Sequence, residues 1–356
     1  MISHEGVKLK RILRGLQDRR IAYVIAYITL WSAQALLIKA SVGKGDPGSL
    51  TEGKYSYEIL AVTLSIETFK LIVALGVYLF TSQEASGSLV ERKGLIIADF
   101  RNGLFLIVPA AIYVLYNGLA FVNLRLMDPA TYRVLVNSRI IFSGVLLQYF
   151  FKRLLSVRQW LALLLLLFAC VVEQSDTFAL DSSPVAIIMM AIQGICSSFG
   201  SVYFQWLLQK KDHSVGEMGM WLKNIFLYFW SIVFNLVAVI CFRPDLIASG
   251  TLFRNFDLNV VPIIIAAGLG GVCTSLLLRH LDVLIKEYAN FAEMVVIAVA
   301  QHILFGVPLR ATLLLAIVMV SVSLYMYQTA GNSAAEPVSV KLSDLRSAKP
   351  LIKTHS

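Results

Sequence analysis

Glu67 and Lys70 stand three residues apart in the middle of an apolar stretch, a spacing that puts both on one helical face within pairing reach. Two readings stand for them. They form a structural ion pair joining helices, or a cation for a phosphate group, kept neutral by its own carboxylate until a ligand arrives. Arg139 also sits inside an apolar run, with no carboxylate at i±3 or i±4, so its partner must be another helix or a bound anion. Lys286 opens a further run beside the polar stretch Lys286-Glu287-Tyr288-Ala289-Asn290, where snorkelling to an interface and phosphate binding both fit. Several cations, few acids and no cluster of metal ligands suit an anionic solute carrying phosphates, for which guanidinium and ammonium groups are the natural partners. Tyr113, Tyr116, Asn117 and Tyr132 add hydrogen-bonding and stacking surface of the kind a nucleobase needs, although tyrosines also collect at membrane interfaces.

Other chemistries find little support. The five histidines are scattered, and neither an HExxH nor a DxD pattern occurs, so a membrane-embedded transferase lacks its metal site and its base. Cys170, Cys196, Cys241 and Cys273 lie within apolar segments without CxxC spacing, which argues against a metal site or a disulfide framework. No enzyme activity, metal or cofactor is therefore expected. With no ATP-binding motif present, any work the chain does would have to run on exchange or on gradients.

The elements that must hold these charges are membrane spans. Of the 356 residues, 58% are hydrophobic and 15% charged, with mean hydropathy +0.74; soluble proteins carry about 25% charge. A hydrocarbon core about 30 Å thick needs about 20 helical residues to cross. Ten apolar stretches qualify, at 21–40, 57–81, 102–123, 129–151, 158–174, 184–208, 218–242, 258–281, 285–305 and 311–328. The first follows a basic leader and lacks a small-residue cleavage site, so it reads as an anchor. A charge inside a span costs at least about 2.5–3.5 kcal/mol, so Glu67, Lys70, Arg139 and Glu293 should face a polar interior. Lys39, Arg133, Lys223 and Glu173 lie near span ends, where snorkelling explains them as well as function does.

Ten spans place both termini on one side. Nineteen Lys/Arg fall on that side and six on the other, which puts both ends in the cytosol and accounts for the net charge of +9 without nucleic acid. Leu124-Arg125-x-x-Asp128 precedes the fourth span and Leu278-Arg279-x-x-Asp282 the ninth, 154 residues on. Five spans per half would then form an inverted repeat, the architecture of carriers that bind substrate near the midplane. The expected organisation is a basic cytosolic N-terminus (1–20), two five-helix repeats (21–174 and 184–328) and a disordered cytosolic tail (329–356). At the repeat offset Arg139 corresponds to Glu293, and the two are expected to pair across the pseudo-symmetry axis. The small residues Gly268, Gly270 and Gly271 are expected to let helices approach closely.

Several fragments carry a resemblance: Glu67-Thr68-Phe69-Lys70, Tyr113-x-x-x-Asn117, Met127-Asp128-Pro129-Ala130-Thr131-Tyr132, Ser156-Val157-Arg158-Gln159, Ser201-Val202-Tyr203-Phe204 and Trp221-Leu222-Lys223-Asn224 with Tyr228. Together and in order, over roughly 20–330, they resemble nucleotide-sugar transporters of the CMP-sialic acid/UDP-galactose/UDP-N-acetylglucosamine branch of the drug/metabolite transporter superfamily. Within that branch they look closest to a less characterised UDP-sugar subgroup. The resemblance implies an all-α membrane fold of ten helices in two inverted halves, and antiport of a nucleotide sugar for the nucleoside monophosphate by alternating access. It implies Golgi residence; the tail end Lys353-Thr354-His355-Ser356 matches a dilysine retrieval signal only in part, so the endoplasmic reticulum also stays open.

The same resemblance places Glu67, Lys70, Asn117, Tyr132, Asn224, Tyr228, Ser275 and Lys286 at substrate-site positions, with Lys70 and Lys286 on phosphate and Asn117, Asn224 and Tyr132 on base, ribose or sugar. Arg139 completes the candidate set. Arg139 stands where the family commonly has lysine, Tyr116 where Gln is usual, Gln205 where Glu is usual, and Glu293 where a small residue is usual. Those departures leave the sugar open. They also keep two alternatives: a transport-inactive relative scaffolding Golgi glycosyltransferases, and a carrier of another phosphorylated metabolite. The expected partners are a nucleotide sugar, a nucleoside monophosphate and the lipid bilayer, with a homodimer allowed.

Overall fold

The computed structural model describes residues 4–41, 57–81, 89–127, 129–175, 184–209, 218–254, 256 and 258–334. Among them the regular elements are all helical. The long helices are α1 (His4–Ser41), α2 (Ile59–Gly76), α3 (Leu89–Ala98), α4 (Ile107–Leu126), α5 (Pro129–Val136), α6 (Arg139–Phe151), α7 (Val157–Glu173), α8 (Pro184–Gln209), α9 (Met220–Phe242), α10 (Val260–His280), α11 (Val283–Phe305) and α12 (Ala311–Ala334). Each of the ten expected stretches is helical to within a few residues. Eight helical stretches are long and apolar enough to cross a bilayer, one of them joining α5 and α6 over Thr131–Phe151. Outside that eight stand α7, 17 residues long, and α11, which carries Lys286, Glu287 and Glu293.

The ends depart from expectation. From His4 the leader continues as helix into the first span, and α12 runs on to Ala334, so the tail's first residues are helical. The rest of the tail, and Asp128 of the first L-R-x-x-D copy, lie outside the described residues. The second copy ends in a helix cap: the Asp282 carboxylate accepts from the Ile285 amide at 2.9 Å. Ser156 and Gln159 form a reciprocal capping box at the start of α7, each side chain accepting from the other's amide. These short motifs start helices. α11 stops at Gly306, whose φ of 68° is the left-handed cap that glycine adopts without a Cβ clash.

The fourth span is not one helix. Asn137 and Ser138 donate their amides to Val134 and Leu135, and Ile140 and Ile141 donate to Asn137 and Ser138, three residues back in each case. This 3-10 turn divides α5 from α6 and makes Arg139 the first residue of the second segment. A Cβ on Gly194 of α8 would stand 3.1 Å from Ser138 Oγ, so the glycine lets α8 pass close to the break.

Around that break the helices interlock. α1 packs on α10 and α11, α8 on α4 and α6, α2 on α9 and α10, and α9 on α4. α7 packs on α12, α6 on both α7 and α11, and α11 on α12. The outer surface is apolar, with Phe80, Ile303 and Tyr325 at least 70% exposed, as a lipid-facing shell requires. Polarity collects inside: Asn123, Gln193, Gln205, Ser198 and Asn224 are all 2% exposed or less.

Candidate functional site

The first cluster is built by α2, α9 and α10. Lys70 Nζ lies 2.5 Å from Glu67 Oε1, and both side chains are 14% exposed. Of the two carboxylate oxygens, Oε2 has no hydrogen-bond partner among the described residues. The ammonium rests over the Tyr228 ring at 4.7 Å, and the Tyr228 hydroxyl lies 3.3 Å from Ser275 Oγ. The lysine stem can cross α10 there because residue 271 is glycine; a Cβ would come within 2.7 Å of Lys70 Cδ. Next to it, a Cβ on Gly268 would strike Phe69 Cδ1 at 2.3 Å. The glycine run is thus the groove into which the Phe69-Lys70 face of α2 fits. Four expected site residues, Glu67, Lys70, Tyr228 and Ser275, meet here.

The second cluster joins α6, α11, α8 and α1. Arg139 Nε lies 3.1 Å from Glu287 Oε2, with the guanidinium side chain 18% exposed and the carboxylate side chain 2%. The angle is bent, so this is an ion pair without a straight hydrogen bond. Lys286 Nζ stands 3.6 Å from Glu287 Oε1 and donates to Ser201 Oγ at 2.9 Å. Asn290 Nδ2 donates to Glu287 Oε2 at 2.9 Å, and the Tyr27 hydroxyl of α1 donates to Asn290 Oδ1 at 2.5 Å. Arg139's own carbonyl accepts from Ser198 Oγ at 2.8 Å. The Tyr113 hydroxyl donates to the Gly200 carbonyl, one residue from the serine that holds Lys286.

This arrangement corrects the expected partner of Arg139. Glu287, six residues before Glu293, makes the direct ion pair with the guanidinium; Glu293 stays within electrostatic reach of Arg139, and its backbone carbonyl accepts from Ser32. The repeat offset aligns helices end to end and does not fix the rotation of α11, which turns 287 toward α6. Neither Glu287 nor its support, Asn290 and Tyr27, was among the expected site residues. The signal for Glu287 and Asn290 was the polar run that opens α11; Tyr27, on α1, carried none.

The remaining expected residues are dispersed. Gln193 Nε2 donates to the Tyr132 hydroxyl at 2.9 Å, and its Oε1 accepts from Asn123 Nδ2 at 2.5 Å, so Tyr132 belongs to a third polar group before the helix break. Asn117 is exposed, one turn beyond Tyr113 on the same helical face. Asn224 is fully buried, one turn from Tyr228, and neither its Oδ1 nor its Nδ2 has a hydrogen-bond partner among the described residues. A buried amide left unpaired is costly, of order 1–3 kcal/mol. Gln205, Gln209 and Lys223 serve backbone: Gln205 Oε1 accepts from the Val283 amide, Gln209 donates to the Leu278 and Leu281 carbonyls, and Lys223 donates to the Leu207 carbonyl. They tie the ends of α8, α9, α10 and α11 together. No group of three or more His, Cys, Asp or Glu side chains among the described residues is placed to hold a metal ion.

Both clusters hold cations inside the helical packing, Lys70 matched one to one by Glu67 and Arg139 with Lys286 sharing Glu287, and such cations can bind a phosphorylated ligand. The comparisons with known proteins agree in kind. The family described as "Nucleotide-sugar transporter" matches residues 22–328. The UDP-galactose transporter senju of Drosophila melanogaster is 31% identical, covering 88% of this chain and 88% of its own. A CMP-sialic acid transporter 2 of Oryza sativa is 27% identical over 85% of this chain and 82% of its own. CMP-sialic acid transporter 1 of Arabidopsis thaliana is 26% identical over 78% and 83%. A chain of known crystal structure superposes with TM-score 0.62 at 13% identity, covering 87% of this chain and 97% of the other, which bears on the fold alone.

Proposed function

This chain belongs to the nucleotide-sugar transporter family, and from that premise we propose that it exchanges a cytosolic pyrimidine nucleotide sugar, CMP- or UDP-linked, for the luminal nucleoside monophosphate across a Golgi membrane. The observation that carries the reading is the pair of interior ion clusters, Lys70 with Glu67 and Arg139/Lys286 with Glu287, in a chain whose exterior is apolar. Buried charges of this density are expensive in a bilayer and are retained where a polar ligand needs them. In the proposed assignment Lys70, Arg139 and Lys286 take the phosphates. Tyr228 and Ser275 orient Lys70, while Asn117, Tyr132 and the unpaired amide of Asn224 read base, ribose or sugar. The pyrimidine choice rests on the relatives, whose names specify UDP-galactose and CMP-sialic acid.

Alternating access between two inverted five-helix halves, 21–174 and 184–328, completes the reading. The packing supports it. With α5 and α6 taken as one span, α1, α2, α4, α5–α6 and α7 match α8, α9, α10, α11 and α12 in order. Exchanging the two sets turns α1/α10 into α8/α4, α1/α11 into α8/α6, α2/α10 into α9/α4, and α6/α7 into α11/α12. The pairs α2/α9, α7/α12 and α6/α11 turn into themselves. These pairs follow the exchange that two related halves would produce, while α8/α10, α8/α11 and α9/α10 have no counterpart of like extent in the first half. The reading makes α7 and α11 spans as well, giving ten, and the Lys/Arg balance puts both termini in the cytosol.

Thermal shift of purified full chain against CMP, UMP, GMP and AMP tests the assignment. A ligand that binds the native state raises the melting temperature, by about 2.7 kcal/mol of stability at a hundredfold excess over Kd. A pyrimidine monophosphate is expected to raise it and the purines are not. No response to any nucleotide, or a response to purines alone, would contradict the proposal.

A further inference from the structure

Glu287 is buried between the two cations of the second cluster and is held there by two ion pairs and a hydrogen bond. One carboxylate oxygen lies 3.1 Å from Arg139 Nε and the other 3.6 Å from Lys286 Nζ. Asn290 steadies the first oxygen and is itself held by Tyr27 of α1. Two cations flank one anion, all with side chains under 20% exposed: both carboxylate oxygens are paired, while the Arg139 Nε hydrogen is left without a straight hydrogen bond. A phosphate likewise offers two or more anionic acceptor oxygens, with at least the same charge. Guanidinium and ammonium groups that serve a carboxylate would serve a phosphate in its place.

We propose that Glu287 is a tethered counter-anion: in the unloaded protein it occupies the position a ligand phosphate takes between Arg139 and Lys286, and binding requires the phosphate to displace it. This rests on the nucleotide-transport reading and adds to it a competitor carried by the protein itself. The displacement has a structural consequence. Glu287 is an ionic link between α11 and α6, which also pack on each other, and through Asn290 and Tyr27 it bears on α1. Phosphate arrival therefore loosens a contact between helices that alternating access must move relative to one another. An unloaded carrier keeps the contact, which favours exchange over empty return.

The test uses purified full-length protein, wild type and Glu287→Gln, titrated with UMP and CMP, with melting temperature read with and without nucleotide. Removing the carboxylate leaves two cations poorly compensated, so the unliganded variant is expected to melt lower. Without its competitor the site is expected to bind the nucleotide at least about tenfold more tightly, equivalent to 1.4 kcal/mol. A lower unliganded melting temperature combined with a larger nucleotide-induced rise is the expected signature. A purely structural ion pair would lower the melting temperature without tightening binding, and that result overturns the proposal. Should the glutamine variant fail to fold, Glu287→Asp keeps the charge but shortens its reach to both cations, and is expected to tighten binding by a smaller factor. Unchanged or weaker nucleotide affinity in the aspartate variant also overturns it. If wild type binds UMP or CMP and neither variant binds more tightly, this inference alone fails. If no protein binds any nucleotide, the transport reading fails and this inference with it.

Discussion

The two cationic clusters solve the same problem in different ways. Glu67 and Lys70 lie one turn apart on a single helix, so their pairing survives any rigid movement of α2. Arg139 and Glu287 sit on different helices, so their pairing exists only while α6 and α11 keep their relative position. The first cluster is a fixed cation, aimed by the Tyr228 ring and by the glycine run of α10. The second is conditional on conformation. A carrier needs both kinds: a constant charge to recognise the ligand, and a charge whose partner changes when the ligand arrives.

Breaking the conditional pair should have the largest effect. Arg139→Gln leaves the Glu287 carboxylate with the Lys286 ammonium and the Asn290 amide, and removing one member of a buried pair costs about 3–5 kcal/mol. The expected result is a marked fall in melting temperature together with loss of the nucleotide-induced rise; unchanged values for both would make the pair idle. Lys70→Gln is expected to abolish the nucleotide response while destabilising less, about 1–3 kcal/mol, because the orphaned Glu67 keeps its 14% exposure. Adding Glu67→Gln should restore the melting temperature but not the response. If the double variant binds nucleotide normally, Lys70 is a structural lysine.

The groove in α10 sharpens the contrast further. Gly268→Ala drives a Cβ into the rigid Phe69 ring and is expected to cost about 1–3 kcal/mol with little change in affinity per folded molecule. Gly271→Ala meets a lysine stem that can rotate away, so its effect should fall on nucleotide affinity more than on melting. Equal effects of the two substitutions on affinity would break that distinction. Smallest is Tyr228→Phe, which loses one hydroxyl contact to Ser275 but keeps the ring beneath Lys70. About 0.5–1.5 kcal/mol of stability is expected to go, with affinity nearly unchanged.

The same contrast explains what was legible in the sequence. The Glu67/Lys70 pair could be read from i,i+3 spacing because a helix fixes that geometry locally. The helices themselves could be read because hydrophobic length reports them directly. The partner of Arg139 could not, since it depends on the rotation of α11, and the repeat pointed to Glu293 where Glu287 holds the guanidinium. The break between α5 and α6 was equally hidden: Val136-Asn137-Ser138 contains neither Gly nor Pro, and Gly194, which makes room for it, belongs to another helix. Ser156-x-x-Gln159 stands among the fragments that carry the resemblance and Asp282 ends the repeated L-R-x-x-D motif, yet the physical content of both is helix capping. Packing symmetry, which bears most directly on the two-halves reading, has no counterpart in residue identity beyond one short repeated motif.

Counterflow in liposomes tests the central claim most directly. Full-length protein would be reconstituted in vesicles loaded with unlabelled UMP or CMP, and uptake of the same labelled nucleotide followed from outside. The account predicts accumulation that requires the internal nucleotide and disappears in Arg139→Gln and Lys70→Gln. Absence of uptake with either pyrimidine, or equal uptake into empty vesicles, would contradict it.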